Sequence, residues 1–296
     1  MNQRRVQRLR ERGIEFILLL AAASSVFVTA AIVCVLVYES FGFFRTVPLT
    51  DFLFGTVWTP LFDNPKYGIL PLLSGTLLST VVALVFVAPI GLITAIYLSE
   101  FASPKTREII KPILELLSGV PTVVYGFFAL LFVTPLLQSF VPGLPGFNIL
   151  SAGIVIGIMI IPYVASLSED AMRAVPNSLR DGSLALGATR FETAIKVVLP
   201  AATSGVAAAF ILGISRAVGE TMIVAIAAGQ QPNLTIDPRE PAATITAYIV
   251  QVALGDLPHG SIAYQTIFAA GLMLLLLTLT FNILGFWLRH KFREVY

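Results

Sequence analysis

Arg216 and Glu220 are the only charged residues in a long apolar run that includes Ile211-Leu212-Gly213-Ile214-Ser215-Arg216-Ala217-Val218-Gly219-Glu220-Thr221-Met222. A charge at the middle of a bilayer costs about 2.5–3.5 kcal/mol on insertion scales, so such residues face a bundle interior, a water-filled path or a partner chain. At i and i+4 of a helix the two side chains share a face and can pair. Arginine suits a tetrahedral oxyanion, because its planar fork gives two parallel hydrogen bonds. Two readings stand side by side: a contact on a substrate path, or a buried ion pair that only fixes how two helices dock. A neutral pair would not attract an anion, so the first reading needs positive charge from elsewhere.

A second group lies in Glu115-Leu116-Leu117-Ser118-Gly119-Val120-Pro121-Thr122-Val123-Val124-Tyr125-Gly126. Ser118, Thr122 and Tyr125 recur at helical spacing, which puts three hydroxyls on one face. Hydroxyls can donate to a dehydrated anion without the desolvation cost of a charge. Against this, Ser and Thr in membrane helices often bond back to their own backbone, especially near a proline. Glu115 is read as a solvated cap or a partner for an arginine.

The third group is polar and basic: Asp181-Gly182-Ser183-Leu184-Ala185-Leu186-Gly187-Ala188-Thr189-Arg190, followed by Val197-Val198-Leu199-Pro200. Other chemistry finds no support. The lone Cys34 allows no disulfide framework. His259 and His290 have no ligand at metal-binding spacing. There is no Walker A sequence, no G-x-S-x-G and no catalytic Cys-His pairing, so any ATP-driven step needs another subunit.

These groups sit in a chain that is 56% hydrophobic and 12% charged, with mean hydropathy +0.87, outside the soluble globular range. Its apolar residues come in six blocks, near 14–38, 71–98, 112–138, 149–168, 196–229 and 264–288, each able to cross a bilayer. The runs are continuous rather than alternating, which predicts an all-α, six-helix polytopic bundle and no barrel. The fifth block exceeds one crossing, so it tilts, kinks at Gly213 or Gly219, or extends past the bilayer. Pro89, Pro121, Pro135 and Pro162 fall within or at the ends of spans and predict kinks.

Cations set the orientation. One side holds Arg4, Arg5, Arg8, Arg10 and Arg12, then Lys105, Arg107 and Lys111, then Arg173, Arg180, Arg190 and Lys196, and finally Arg289, Lys291 and Arg293. The other side holds Arg45, Lys66 and Arg239. Both termini are therefore expected in the cytoplasm, in the inner (plasma) membrane. The first block continues past a signal-peptide h-region, so it is read as a retained span. The loop 39–70, rich in Phe with Trp58 and Tyr67, is expected as an interfacial aromatic hairpin or a plain aromatic belt. The polar loop 230–263 is a solvated connector or a surface for an extracytoplasmic partner. The expected organisation is a basic tail at 1–13, the first span and outer loop at 14–70, and a core domain at 71–296.

The third group resembles the coupling loop of ABC importer permeases, written EAA, three residues, Gly, nine residues, Ile-x-Leu-Pro. Asp181 stands for the Glu, Gly182 and Ser183 for the alanines and Val197 for the Ile, while Gly187, Leu199 and Pro200 match. Ser118–Gly126 and Arg216-Ala217-Val218-Gly219-Glu220-Thr221-Met222 resemble the phosphate importer permeases, with a Gly-Glu-Thr-Met ending like the PstC type. The likeness covers about 70–290. It implies a type I importer permease that is not an enzyme and holds no cofactor, with ATP bound by a partner. Its implied partners are a PstA-like second permease, two PstB-like ATPase subunits and a PstS-like extracytoplasmic phosphate-binding protein. It places Arg216, Glu220, Ser118, Thr122 and Tyr125 on the substrate path, and Asp181, Gly182, Ser183, Ala185, Gly187 and Arg190 against the ATPase, with the coupling loop near 178–200. Rival readings are a permease for sulfate, molybdate or phosphonate, and a stand-alone secondary transporter or channel.

Overall fold

The structure is a computed structural model that describes residues 2–291. Arg293 lies outside the described residues, as do the side chains of Arg4, Arg5, Arg8, Arg289 and His290. The described residues form helices joined by short connections, with two isolated bridges, Trp58 to Tyr67 and Gly229 to Ala242, as the only strand-like pairing among them. Apolar runs in hydrocarbon must satisfy their backbone internally, and a helix does so within one segment.

The elements are α1 (Asn2–Phe44), α2 (Leu49–Phe54), α3 (Leu70–Ile96) with a π-helical turn at Tyr97–Phe101, and α4 (Pro104–Ser118). Next come α5 (Thr122–Phe128), a π turn at Ala129–Val133, α6 (Thr134–Phe140) and α7 (Ile149–Arg173). On the polar loop lie α8 (Asn177–Ala185), α9 (Arg190–Thr193), a π turn at Ala194–Val198 and α10 (Leu199–Ala201). The chain closes with α11 (Thr203–Val218), α12 (Met222–Ala227), α13 (Ile245–Ala253) and α14 (Ile262–Lys291). Five stretches are long and apolar enough to cross a membrane: Arg10–Phe44, Leu70–Phe101, Thr122–Phe140, Ile149–Arg173 and Ile262–Trp287. A sixth results if Arg190–Ala201 and Thr203–Val218, bent by 73°, count as one.

Two expected spans are redrawn. The third starts at Thr122 rather than 112, because Gly119-Val120-Pro121 breaks the helix and leaves α4 separate. The residue before a proline disfavours the helical region, and Pro121 itself caps α5. The fifth ends at Val218, with Gly219 closing α11, so Gly219 marks the break. Gly213 stays inside an unbroken helix, where a Cβ would lie 2.9 Å from Val164. The interior prolines Pro89 and Pro162 leave α3 and α7 continuous as assigned helices.

α7 is the central helix, flanked by α3, α4, α5, α11 and α12. Lipid tails are as apolar as leucine, so helices associate through close packing of small residues. Gly153 and Gly157, one turn apart on α7, face α3: a Cβ at Gly153 would lie 2.6 Å from Val82, and one at Gly157 3.0 Å from the Ala83 carbonyl. The loop 39–70, expected as an interfacial aromatic hairpin or an aromatic belt, packs in part against the bundle. Phe43, Phe52 and Trp58 turn inward, with Trp58 1% exposed and edge-on to Tyr248 of α13 at 5.0 Å and Phe52 edge-on to Phe43 at 5.7 Å, while Phe41, Phe54 and Phe62 stay exposed. The loop forms a packed cap on α13 and α14.

Gly153→Val would force β-branched bulk into the α3–α7 contact, where overpacking costs about 1–3 kcal/mol. A lower melting temperature of the detergent-purified protein is expected, with Gly146→Val, in open space, as the unaffected control.

Candidate functional site

Arg216 occupies the last turn of α11 with its side chain exposed on the open face of the bundle. Its guanidinium carbon lies 5.7 Å from the centre of the Tyr163 ring on α7, within cation–π reach. No acid lies within ion-pair distance of Arg216 among the described residues.

The expected pairing with Glu220 is therefore corrected. It assumed a helix running through both residues, but α11 stops two residues before Glu220. Glu220, 8% exposed, turns to the start of α12, where its Oε1 accepts from the backbone N–H groups of Met222 (3.0 Å) and Ile223 (3.2 Å). Those donors have no partner inside the helix, so the carboxylate caps it. Glu220 also accepts, through its carbonyl, a 2.6 Å bond from the Thr246 hydroxyl on α13.

The three hydroxyls do not share one helical face either, because the break at Gly119–Pro121 separates Ser118 from the other two. Ser118 donates to the Glu115 carbonyl at 2.7 Å. Tyr125 is buried and donates to the Leu117 carbonyl at 2.8 Å, closing the gap between α4 and α5. Each hydroxyl has one proton, and both are committed to the backbone. Thr122 starts α5 and is half-buried. Glu115 is exposed and forms no ion pair among the described residues.

The polar loop is shaped by its own caps. α8 ends in a Schellman turn: the Gly187 N–H donates to the Leu184 carbonyl (3.0 Å) and the Ala188 N–H to the Ser183 carbonyl (3.2 Å). Gly187 at φ +88° takes the left-handed position that a Cβ would strain. Thr189 and Glu192 then form a capping box that starts α9. Asp181, Gly182, Ala185, Gly187 and Arg190 are exposed, while Ser183 is half-buried with its hydroxyl 2.9 Å from that of Thr193. Leu186, at the tip, is 91% exposed.

The residue reading passed over a charged layer at the same end of the bundle as α8. Glu169, 0% exposed, lies 2.7 Å from Arg107 Nε, though without an aligned N–H, and accepts from Lys111 Nζ at 2.9 Å. Arg173 stands 3.8 Å away and Lys111 also reaches Asp170 at 2.5 Å. Burial opposes the charge on Lys111, but the bonds to Asp170 and Glu169 outweigh it and raise its pKa. Arg180 binds Glu100. A sequence signal exists: just past the apolar block near 149–168, Glu169 and Arg173 have the i, i+4 spacing of one more helical turn. At the other end Asp237 is held down to about 2 by hydrogen bonds from Arg239. No group of three or more His, Cys, Asp or Glu among the described residues could hold a metal ion.

Residues 87–294 match the family described as binding-protein-dependent transport system inner membrane component. Over 234 residues the chain is 38% identical to the probable ABC transporter permease protein YqgH of Bacillus subtilis, covering 79% of this chain and 75% of that one. It is 32% identical over 255 residues to the phosphate transport system permease protein PstC of Xylella fastidiosa, with 79% and 78% covered. A solved bacterial alginate ABC transporter, in complex with an alginate pentasaccharide-bound periplasmic protein, aligns with TM-score 0.63 at 16% identity, over 94% of each chain. The methionine transporter MetNI, in an inward-facing form, aligns with TM-score 0.55 at 18% identity, covering 77% of this chain and 95% of that one. At these identities the solved structures show a shared fold.

Replacing Gly187 with valine should open the loop, since a left-handed residue with a Cβ costs roughly 1–2 kcal/mol. Tryptic cleavage at Arg190 is expected to quicken severalfold while helical circular dichroism stays unchanged.

Proposed function

The chain belongs to the binding-protein-dependent transport system inner membrane components, and we propose that it passes inorganic phosphate into the cytoplasm by alternating access, driven by ATP hydrolysed on a separate subunit. The observation that carries this reading is the guanidinium of Arg216 on the open face of α11, which has no acid within ion-pair distance among the described residues. An uncompensated arginine in an apolar span is costly unless something it faces takes up the charge, and an oxyanion does so with two parallel bonds. The need for positive charge from elsewhere falls away once Glu220 is engaged in capping α12. One cation rather than a cluster also favours turnover, because a site that binds a divalent anion too strongly would not release it.

In this reading the open face of α11 meets a PstA-like second permease, so that the path lies between two subunits, with the Tyr163 ring beside Arg216 and Thr122 as a further donor on the path. Tyr125 ties α5 to α4 and Ser118 bonds back within α4, so neither donates to the anion in this reading. Two PstB-like ATPase subunits receive α8 through Leu186 and the exposed Asp181, Gly182, Ala185 and Arg190, and a PstS-like phosphate-binding protein delivers its cargo at the outer face. The cation-rich ends, both termini included, lie in the cytoplasm. The relatives named for phosphate support this choice of anion, while the Bacillus relative's name gives no substrate.

Arg216→Gln should abolish phosphate uptake in proteoliposomes while the complex assembles at normal yield. Failure of the complex to form would instead make Arg216 a helix-docking residue. Uptake competed by sulfate or molybdate and indifferent to phosphate would reassign the anion. Gly187→Asp should leave ATP hydrolysis running while transport falls, because the docked helix loses its Schellman turn.

A further inference from the structure

Arg180 is the most completely satisfied side chain at the α8 end of the bundle. A guanidinium carries five N–H donors, and each finds an acceptor here. Nε donates to Glu100 Oε2 at 3.2 Å and Nη2 to Glu100 Oε1 at 3.0 Å, a bidentate fork. Nη2 also donates to the Met172 carbonyl at 2.8 Å, and Nη1 to the Val175 carbonyl at 2.5 Å and Asn177 Oδ1 at 3.4 Å. Both partners are largely withdrawn from solvent, with side chains 16% and 10% exposed. Ser99 orients the acceptor by donating to Glu100 Oε1 at 2.7 Å.

One side chain therefore joins three elements. Arg180 belongs to α8, the Met172 and Val175 carbonyls lie at the C-terminal end of α7, and Glu100 sits on the π turn that ends the α3 span. Below it Leu179 packs on an apolar cluster of Ala95, Met172, Val175 and Val198, drawn from α3, α7 and the segment leading into α11. Apolar contact is non-directional and lets a helix slide. The forked pair fixes direction, so displacement or rotation of α8 is carried to both spans. Exposed ion pairs hold little, but this one is shielded and bidentate. Capping α7 would need only the two carbonyls; the bonds to Glu100 bring in α3.

We propose that the Arg180–Glu100 pair is the link that passes movement of α8 into the α3 span, so that both residues are positioning residues for coupling. The proposal rests on the ATP-driven reading above. The test uses the complete importer, with its ATPase and binding protein, in proteoliposomes, and reads phosphate moved per ATP hydrolysed for Glu100→Gln, Arg180→Lys and the double variant. Glutamine keeps the shape of Glu100 and leaves the carbonyl contacts of Arg180 in place, while lysine cannot reproduce the fork. Glu100→Gln should assemble normally and continue to hydrolyse ATP. Its phosphate-to-ATP ratio should fall by roughly fivefold or more, as expected when a coupling free energy is lost. The double variant should be no worse than either single one, because the pair acts as a unit.

A coupled wild type with an unchanged ratio in Glu100→Gln would overturn the link alone, as would single losses that multiply in the double variant. A wild-type complex that hydrolyses ATP without moving phosphate would overturn the importer reading and the link with it. Should Arg180→Lys fail to assemble, Glu100→Gln decides the matter by itself.

Discussion

Hydrocarbon offers no water to a broken helix, and this one constraint accounts for several of the polar side chains inside the bundle. Each interruption exposes N–H and C=O groups that must find partners nearby, or cost several kcal/mol each. At the end of α11 the Glu220 carboxylate takes two N–H groups of α12, and the Thr246 hydroxyl takes the Glu220 carbonyl. Between α4 and α5 the Tyr125 hydroxyl takes the Leu117 carbonyl. Before α7 the Asn148 side chain takes the Ser151 N–H. These residues look like a polar path when read along the chain, yet most of their hydrogen-bonding capacity is used by the backbone. Arg216 is the exception, since its donors cannot cap a helix N-terminus and no carboxylate among the described residues stands within ion-pair distance.

Sequence reading succeeds where one physical term dominates. Hydropathy located six apolar blocks because the cost of unsatisfied backbone leaves few alternatives, and the redrawn bounds lie where Gly or Pro competes with that term. The family and its type I fold were legible because the motif spacing around Gly187 reflects a turn with a fixed backbone requirement. Arg216 was legible as an isolated charge. Its partner was not, because the i, i+4 rule holds only while the helix continues, and Gly219 ends it. The same assumption of continuity placed Ser118 with Thr122 and Tyr125. Glu100 and Glu169 are not legible for the opposite reason: their partners lie 80 and 58 residues away along the chain, and only tertiary contact brings them together.

The outer loop shows how composition can mislead about location. Trp58, Phe52 and Phe43 have the amphipathic or apolar character of a membrane-interface belt, but they stack edge-to-face on one another and on Tyr248. Aromatic edge contacts add about 0.5–1.5 kcal/mol beyond burial, which favours gathering the rings over spreading them along a headgroup layer. That packing fixes α13, whose Thr246 holds the break beside Glu220. The cap and the Arg216 region are thus joined through one short helix.

The two kinds of helix contact answer different needs. In the hydrocarbon, α3 and α7 meet through Gly153 and Gly157, where closeness rather than direction supplies the attraction. At the α8 end the two are joined through Arg180, which binds Glu100 and the Met172 carbonyl, while Glu169 ties α7 to Arg107 and Lys111 of α4, and there direction matters and water is near enough to limit desolvation. Smooth small-residue seams tolerate a shift between neighbouring helices more readily than bidentate bonds do. Under the proposed ATP-driven reading, a force applied at α8 would enter through the directional bonds of Arg180 and reach the close-packed seam of α3 and α7.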